Sequence, residues 1–157
     1  MNSAKPFKVL FLCTGNSARS VMAEYFLRRL GRGAFEVYSA GAQPKGVVDS
    51  LTLKTLREKF HIDASDARSK SWDEFKGVEF DFVITVCDNA RESCPIWPGQ
   101  PIIAHWGLED PAEVEGSDAV KLAAFERTYM ELVQRIRPFV EVALRAAGRG
   151  RRAVIAG

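Results

Sequence analysis

The apolar run Val9-Leu10-Phe11-Leu12 passes without a break into Cys13-Thr14-Gly15-Asn16-Ser17-Ala18-Arg19-Ser20, and from there into the helical pattern Met22-Ala23-Glu24-Tyr25-Phe26-Leu27. A strand, a tight loop and a helix in that order bring backbone N–H groups together on an anion. The loop adds a thiol at its first position and a guanidinium six residues on. Among inward-pointing N–H dipoles the Cys13 thiol is expected to ionise well below its free value of about 8.5. Arg19 offers a planar fork that matches two oxygens of a tetrahedral oxyanion. Gly15 is expected at positive φ, with Asn16 tolerating the same region while its amide ties the loop together. Ser20 can hydrogen-bond the sulfur or cap the helix. A nucleotide-cradling loop of the GxxxxGK type is excluded, because no Lys stands in this stretch. The loop reads as one that binds an oxyanion and attacks it.

Phe7 to Leu12 is apolar nearly throughout, as in a parallel-sheet strand covered on both faces. Arg19 to Leu30 reads as an amphipathic helix stopped by Gly31 and Gly33. Phe35 to Ala40 alternates as a second strand and ends at Gly41. Asp49 or Ser50 can cap a helix carrying Leu51, Leu53, Leu56 and Phe60. Ser69 to Phe75 fits one short helical turn. Phe80 to Val86 is a third strand that leads into Cys87, and Asp88 to Gln100 reads as loop. Ile102 to Ala104 is a short fourth strand. Ala119 to Ala147 is a long helix that Pro138 could kink or break. The basic, glycine-rich tail from residue 148 to 157 is expected to be disordered.

Strands alternating with helices predict an α/β sandwich with a parallel sheet. With 157 residues the chain is sized for a single domain, here residues 1–147. No stretch approaches the roughly 18 apolar residues of a membrane span, and no secretory leader is evident, so a cytoplasmic location is expected. A net charge of +2 carries no nucleic-acid or membrane signal. Three cysteines are an odd number, which disfavours a secreted disulfide framework and permits nucleophilic or redox chemistry. Ligands of parallel sheets bind beyond the carboxyl ends of the strands. Cys13 follows the first strand, Cys87 the third, and Asp110 lies in the loop after the fourth, so all three are expected on one sheet edge.

The stretch Cys13 to Ser20 resembles the Cys-x5-Arg loop of the low-molecular-weight protein tyrosine phosphatases and of the arsenate reductases that share their fold. That resemblance implies a three-layer sandwich with a four-stranded parallel sheet. It implies an oxyanion loop of Thr14, Gly15, Asn16, Ser17, Ala18, Arg19 and Ser20 around a Cys13 nucleophile. Cys87 and Cys94 flank six residues, Asp88 to Ser93. Two buried structural cysteines are one reading of the pair. A zinc site with His105 is another, against which the spacing counts, since zinc ligands usually stand two to four apart. The third is a thiol–disulfide relay in which Cys87 attacks Cys13 and Cys94 resolves the bond.

The segment from Thr85 to Pro95, with this cysteine pair, is similar to the redox segment of the thioredoxin-coupled arsenate reductases, as is His105-Trp106-Gly107-Leu108-Glu109-Asp110-Pro111 to their next block. Tyr38-Ser39-Ala40-Gly41 adds to the match, which covers roughly residues 7 to 140. The resemblance implies reduction of arsenate to arsenite, with Asp110 as general acid, a Cys13/Cys87/Cys94 relay, and thioredoxin as reductant. Glutathione, glutaredoxin or a mycothiol-type reductant remain open. Phosphate or sulfate would mimic the substrate, no cofactor or catalytic metal is implied, and a monomer is expected. The phosphatases carry aromatic residues after the Asp-Pro, where Ala112 and Glu113 stand here. An aryl-phosphate phosphatase is the alternative function, followed by a non-catalytic oxyanion-binding or redox-sensing module.

Some relatives hold a potassium ion near the loop with residues matching Asn16, Glu24 and Ser39 and with an Asp, where this chain has Ser69-Lys70-Ser71. A Lys70 ammonium could take the cation's position, so potassium dependence is not implied here. His61 reads as structural. His105 and Trp106 are assigned to shaping the Asp110 loop, with Trp106 packing in the core.

Overall fold

The computed structural model describes residues 5–149. Strands β1 (Phe7–Cys13), β2 (Phe35–Gly41), β3 (Phe82–Thr85) and β4 (Ile102–His105) form one parallel sheet in the order β2-β1-β3-β4. Helices α1 (Arg19–Leu30), α2 (Ser50–Phe60), α3 (Asp88–Ser93) and α4 (Asp118–Arg149) complete an α/β three-layer sandwich, with 3-10 turns at Trp72–Phe75 and Pro111–Glu113. The central strand β1 has Val9, Leu10, Phe11 and Leu12 wholly out of solvent, which is why its sequence lacks alternation. Covering both faces of one strand takes about 1.5–3 kcal/mol of apolar transfer energy per large side chain, so this strand sets the core.

Two expectations change at helices. Asp88 to Ser93, read as loop, is the short helix α3, whose apolar anchor Ala90 is fully buried. Pro138 does not break α4 in two; it lies inside one helix that runs on to Arg149. Phe139, the next residue, packs its ring on Phe35, Phe82 and Trp106. That tertiary contact offsets the roughly 3 kcal/mol cost of an internal proline. The third strand is also shorter than the run Phe80 to Val86, since Phe80 stacks edge-on against Trp97 and Tyr38 instead of pairing in the sheet. The tail lies outside the described residues beyond Arg149. Among the described residues no helix is long and apolar enough to cross a membrane.

Candidate active site

The loop after β1 is held by its carbonyls. Those of Cys13, Thr14, Gly15 and Ser17 accept from the backbone N–H groups of Ala42, Gln43, Lys45 and Asp49 at 2.9–3.1 Å. The Ser69 and Thr52 hydroxyls add bonds to the Gly15 and Ser17 carbonyls. In a trans peptide the following N–H points the opposite way, so four outward carbonyls turn the N–H groups of Thr14, Gly15, Asn16 and Ala18 toward the interior of the loop. The Asn16 N–H reaches the Cys13 Sγ at 3.2 Å. Gly41, paired with Cys13 across the sheet, makes the arrangement possible, because a Cβ there would lie 2.5 Å from the Thr14 carbonyl oxygen. Positive φ falls on Asn16 (47°) and not on Gly15. The strain at Asn16 is held by its side chain, whose Oδ1 accepts from the Lys70 N–H at 2.9 Å.

The Asn16 amide is the hub of a buried polar chain. Its Nδ2 donates to Ser20 Oγ at 2.8 Å and to Ser39 Oγ at 3.0 Å. Ser39 in turn donates to Glu24 Oε1 at 2.6 Å, and Glu24 pairs with Arg28. Lys70 Nζ lies among Arg68 O (3.0 Å), Asn16 Oδ1 (3.4 Å) and Ser39 Oγ (3.5 Å). An ammonium thus occupies the place flanked by Asn16, Glu24 and Ser39. Burial pushes the Glu24 carboxyl up, opposed by Arg28, Ser39 and Lys70, and pushes the Lys70 ammonium down, opposed by Glu24.

Ser20 bonds the sulfur, at 2.8 Å from Cys13 Sγ, while Ala18, in the cap position before α1, gives no side-chain cap. The expected low thiol pKa is overturned in the open loop. Burial of the sulfur is the largest influence and pushes the Cys13 thiol up, against Ser20 and Arg19, which pull it down. A cavity of about 200 Å³ opens above the loop, lined by Cys13 and its loop neighbours together with Gln43, Lys45 and Asp110. Gln43 and Lys45 were not legible as site residues, since their only signal is the strand end that precedes them.

Arg19 reaches across to the loop after β4. Its Nη1 donates to the Leu108 carbonyl at 3.0 Å and its Nη2 lies 3.6 Å from Asp110 Oδ2. Asp110 accepts from the Ala112 N–H at 3.0 Å, which opens the turn at Pro111 and fixes the carboxylate at the cavity rim. Cys87 follows β3 and directly precedes α3, buried, with its sulfur 3.2 Å from the Thr14 hydroxyl. Thr14, Arg19, Cys87 and Asp110 share a second, larger cavity of about 610 Å³. Cys94 lies at the other end of α3, half-buried, and burial pushes its thiol up as well. All three cysteines are free thiols. The sequence expectation thus brings Cys13, Arg19, Cys87 and Asp110 together, with Cys94 one helix away.

The model of the low molecular weight phosphotyrosine protein phosphatase family matches residues 8–148. An arsenate reductase of Halalkalibacterium halodurans is 39% identical over 133 residues, covering 85% of this chain and 94% of the relative. Among solved structures, an arsenate reductase in the phosphate binding state superposes with a TM-score of 0.72 at 31% identity, covering 86% of this chain and 97% of that one. A thioredoxin-dependent arsenate reductase of Corynebacterium glutamicum gives 0.60 at 29% identity, over 87% of this chain and 64% of that one.

Proposed function

Since the chain belongs to the low molecular weight phosphotyrosine protein phosphatase family, and relatives along most of its length are arsenate reductases, we propose that it reduces arsenate to arsenite with thioredoxin as the electron donor. The observation that carries this over simple phosphatase chemistry is the Cys87 sulfur, 3.2 Å from the hydroxyl of the residue next to Cys13. A phosphatase needs one thiol and one acid; a second buried thiol at the rim of the loop serves redox transfer.

Arsenate sits on the inward N–H groups and the Arg19 fork. A bound arsenate dianion takes the Cys13 proton, which answers the raised thiol, and the thiolate attacks arsenic in line. An S–As bond forms, an As–O bond breaks, and Asp110 gives the departing hydroxide the proton that makes it water. Cys87 then gives up its thiol proton to solvent and attacks the Cys13 sulfur. The S–S bond forms as the S–As electron pair passes to arsenic, taking As(V) to As(III), and arsenite leaves. Cys94 displaces Cys13 from Cys87, and thioredoxin reduces the Cys87–Cys94 bond by two electrons. The enzyme works as one domain, as a monomer, in the cytoplasm.

The last exchange needs α3 to unfold. From Cys87 to Cys94 the helix advances about 10 Å at 1.5 Å per residue, whereas disulfide Cα atoms stand about 4.4–6.8 Å apart. Arsenate-dependent oxidation of thioredoxin, run beside aryl-phosphate hydrolysis, tests the reading. Hydrolysis without thioredoxin oxidation would return the chain to the phosphatase alternative.

A further inference from the structure

His105, the last residue of β4, uses both ring nitrogens on residues that bracket Cys87. Its Nδ1 lies 2.8 Å from Thr85 Oγ1 and its Nε2 2.9 Å from Asp88 Oδ1. The carboxylate can only accept, so Nε2 donates, while Nδ1 shares a hydrogen bond with the Thr85 hydroxyl, which also lies 3.4 Å from the Ala104 carbonyl. Thr85 is buried, two residues before Cys87, and Asp88 is the first residue of α3. The backbone after His105 repeats the attachment, with the Trp106 N–H on the Thr85 carbonyl at 2.8 Å and the Leu108 N–H on the Val86 carbonyl at 3.2 Å. Gly107 leaves the ring room, since a Cβ there would lie 3.2 Å from His105 Nε2 and 3.5 Å from Asp88 Oδ1.

We propose that His105 is a positioning residue for the relay, clamping Thr85 and Asp88 so that the Cys87 sulfur is aimed at the oxyanion loop when it attacks Cys13, before α3 unfolds. The inference rests on the three-cysteine reading above. Sheet strands hold Cys87 from one side: Val86 N–H donates to the Leu12 carbonyl at 2.8 Å. On the other side the chain enters a six-residue helix that must come apart. Without an anchor at Asp88, fraying of so short a helix, which has no side-chain cap at Cys87, would pass to Cys87 itself. A side chain on a neighbouring strand, bonded to both flanks, confines the motion to residues nearer Cys94. In-line displacement at sulfur is sensitive to such aim, since about 1 Å of misplacement can cost on the order of a hundredfold.

The test follows formation of the Cys13–Cys87 disulfide in a Cys94→Ser background, by mass spectrometry of quenched samples. Arsenate is one oxidant. Diamide is the other; it takes two electrons and two protons from the thiol pair without arsenic chemistry. His105→Ala is expected to slow the disulfide about tenfold or more with either oxidant, by loss of aim. Asp88→Ala and Gly107→Ala, which break or crowd one bond of the clamp, are expected to slow it about threefold, and Asp88→Asn, which keeps an acceptor for Nε2–H, should restore it. Aryl-phosphate hydrolysis, which runs through the loop and Asp110 without Cys87, is measured on the same variants. Disulfide formation at the parent rate in His105→Ala overturns the proposal, and so does a proportionate fall in hydrolysis. Should His105→Ala fail to fold, the Asp88→Ala, Asp88→Asn and Gly107→Ala series decides by the same criteria. A disulfide that forms with diamide but never with arsenate removes the reductase reading and still tests the clamp.

Discussion

The Ser20 hydroxyl stands 2.8 Å from the Cys13 sulfur, and because its oxygen already accepts from the Asn16 side-chain amide, its proton is free to point at sulfur. The bond therefore favours the thiolate in a place where burial opposes it. The stereochemistry of one serine depends on the amide orientation of one asparagine, which Lys70 fixes from behind.

Ser20→Ala should push the Cys13 thiol further up. Removing a hydrogen bond to a charged group is worth about 1.5–3 kcal/mol. Alkylation of Cys13 by iodoacetamide, followed against pH, should show its midpoint displaced upward and its rate at neutral pH lowered by about ten- to a hundredfold. An unmoved midpoint would take Ser20 out of thiolate stabilisation. The raised thiol also fixes a sign for stability. The fold keeps this proton where an unfolded cysteine, at about 8.5, has lost it, so the contribution is full below that pH and declines as pH climbs through the folded value.

Lys70→Ala should make the enzyme sensitive to potassium. With the ammonium in place beside Asn16, Ser39 and the Arg68 carbonyl, exchanging sodium for potassium is expected to leave turnover and melting temperature unchanged. Without it, Glu24 keeps Arg28 and the Ser39 hydroxyl, and Asn16 Oδ1 keeps the backbone N–H of residue 70, but the Asn16, Ser39 and Arg68 oxygens lose their shared cation, a loss of about 1–3 kcal/mol. Potassium should recover part of that in thermal melts of the variant. Equal melting in both salts would show that Lys70 works through packing alone.

The strand–loop–helix unit at Cys13 was legible because its determinants are local: an apolar run, loop residue types and a helical period lie next to each other. The helix between Cys87 and Cys94 was not, since its one buried apolar side chain, Ala90, gives no period to detect. Positive φ, expected at Gly15 with Asn16 tolerating the same region, is found at Asn16, whose side chain is tied down by contacts from residue 70, far along the chain. His105 was visible only as a shaper of the Asp110 loop. Its bonds to Thr85 and Asp88 arise from β3 and β4 lying side by side, with Thr85 in register with His105, which spacing along a sequence does not reveal. The thiol pKa failed for a related reason: dipoles can be inferred from a motif, but the depth of burial that opposes them belongs to the whole fold.

Asp110→Asn should retain oxyanion binding, measured by phosphate protection of Cys13 from alkylation, while slowing the first chemical step by about 10²–10⁴-fold, the usual contribution of a general acid. The amide keeps the turn, since its oxygen can still accept from the Ala112 N–H, so the fold should be unaffected. A single-turnover rate equal to that of the parent would assign the proton to solvent.

Cys94→Ser separates reductase from phosphatase. On the proposed chemistry aryl-phosphate hydrolysis runs through Cys13, Arg19 and Asp110, whereas Cys94 lies at the far end of α3. Hydrolysis should therefore remain near the parent rate. Arsenate reduction should instead release about one arsenite per enzyme and stop, because the oxidising equivalents would be trapped between Cys13 and Cys87. Both of those sulfurs are buried in the reduced protein, so thioredoxin, which attacks a disulfide through an accessible sulfur, has no direct route to the pair. A peptide map should join Cys13 to Cys87. Circular dichroism should show α3 retained, since the exchange that requires it to unfold no longer has a nucleophile. Sustained thioredoxin-dependent turnover in this variant would defeat the three-cysteine relay and leave direct reduction of the inner disulfide, or a small-thiol reductant acting on it, as the working mechanism.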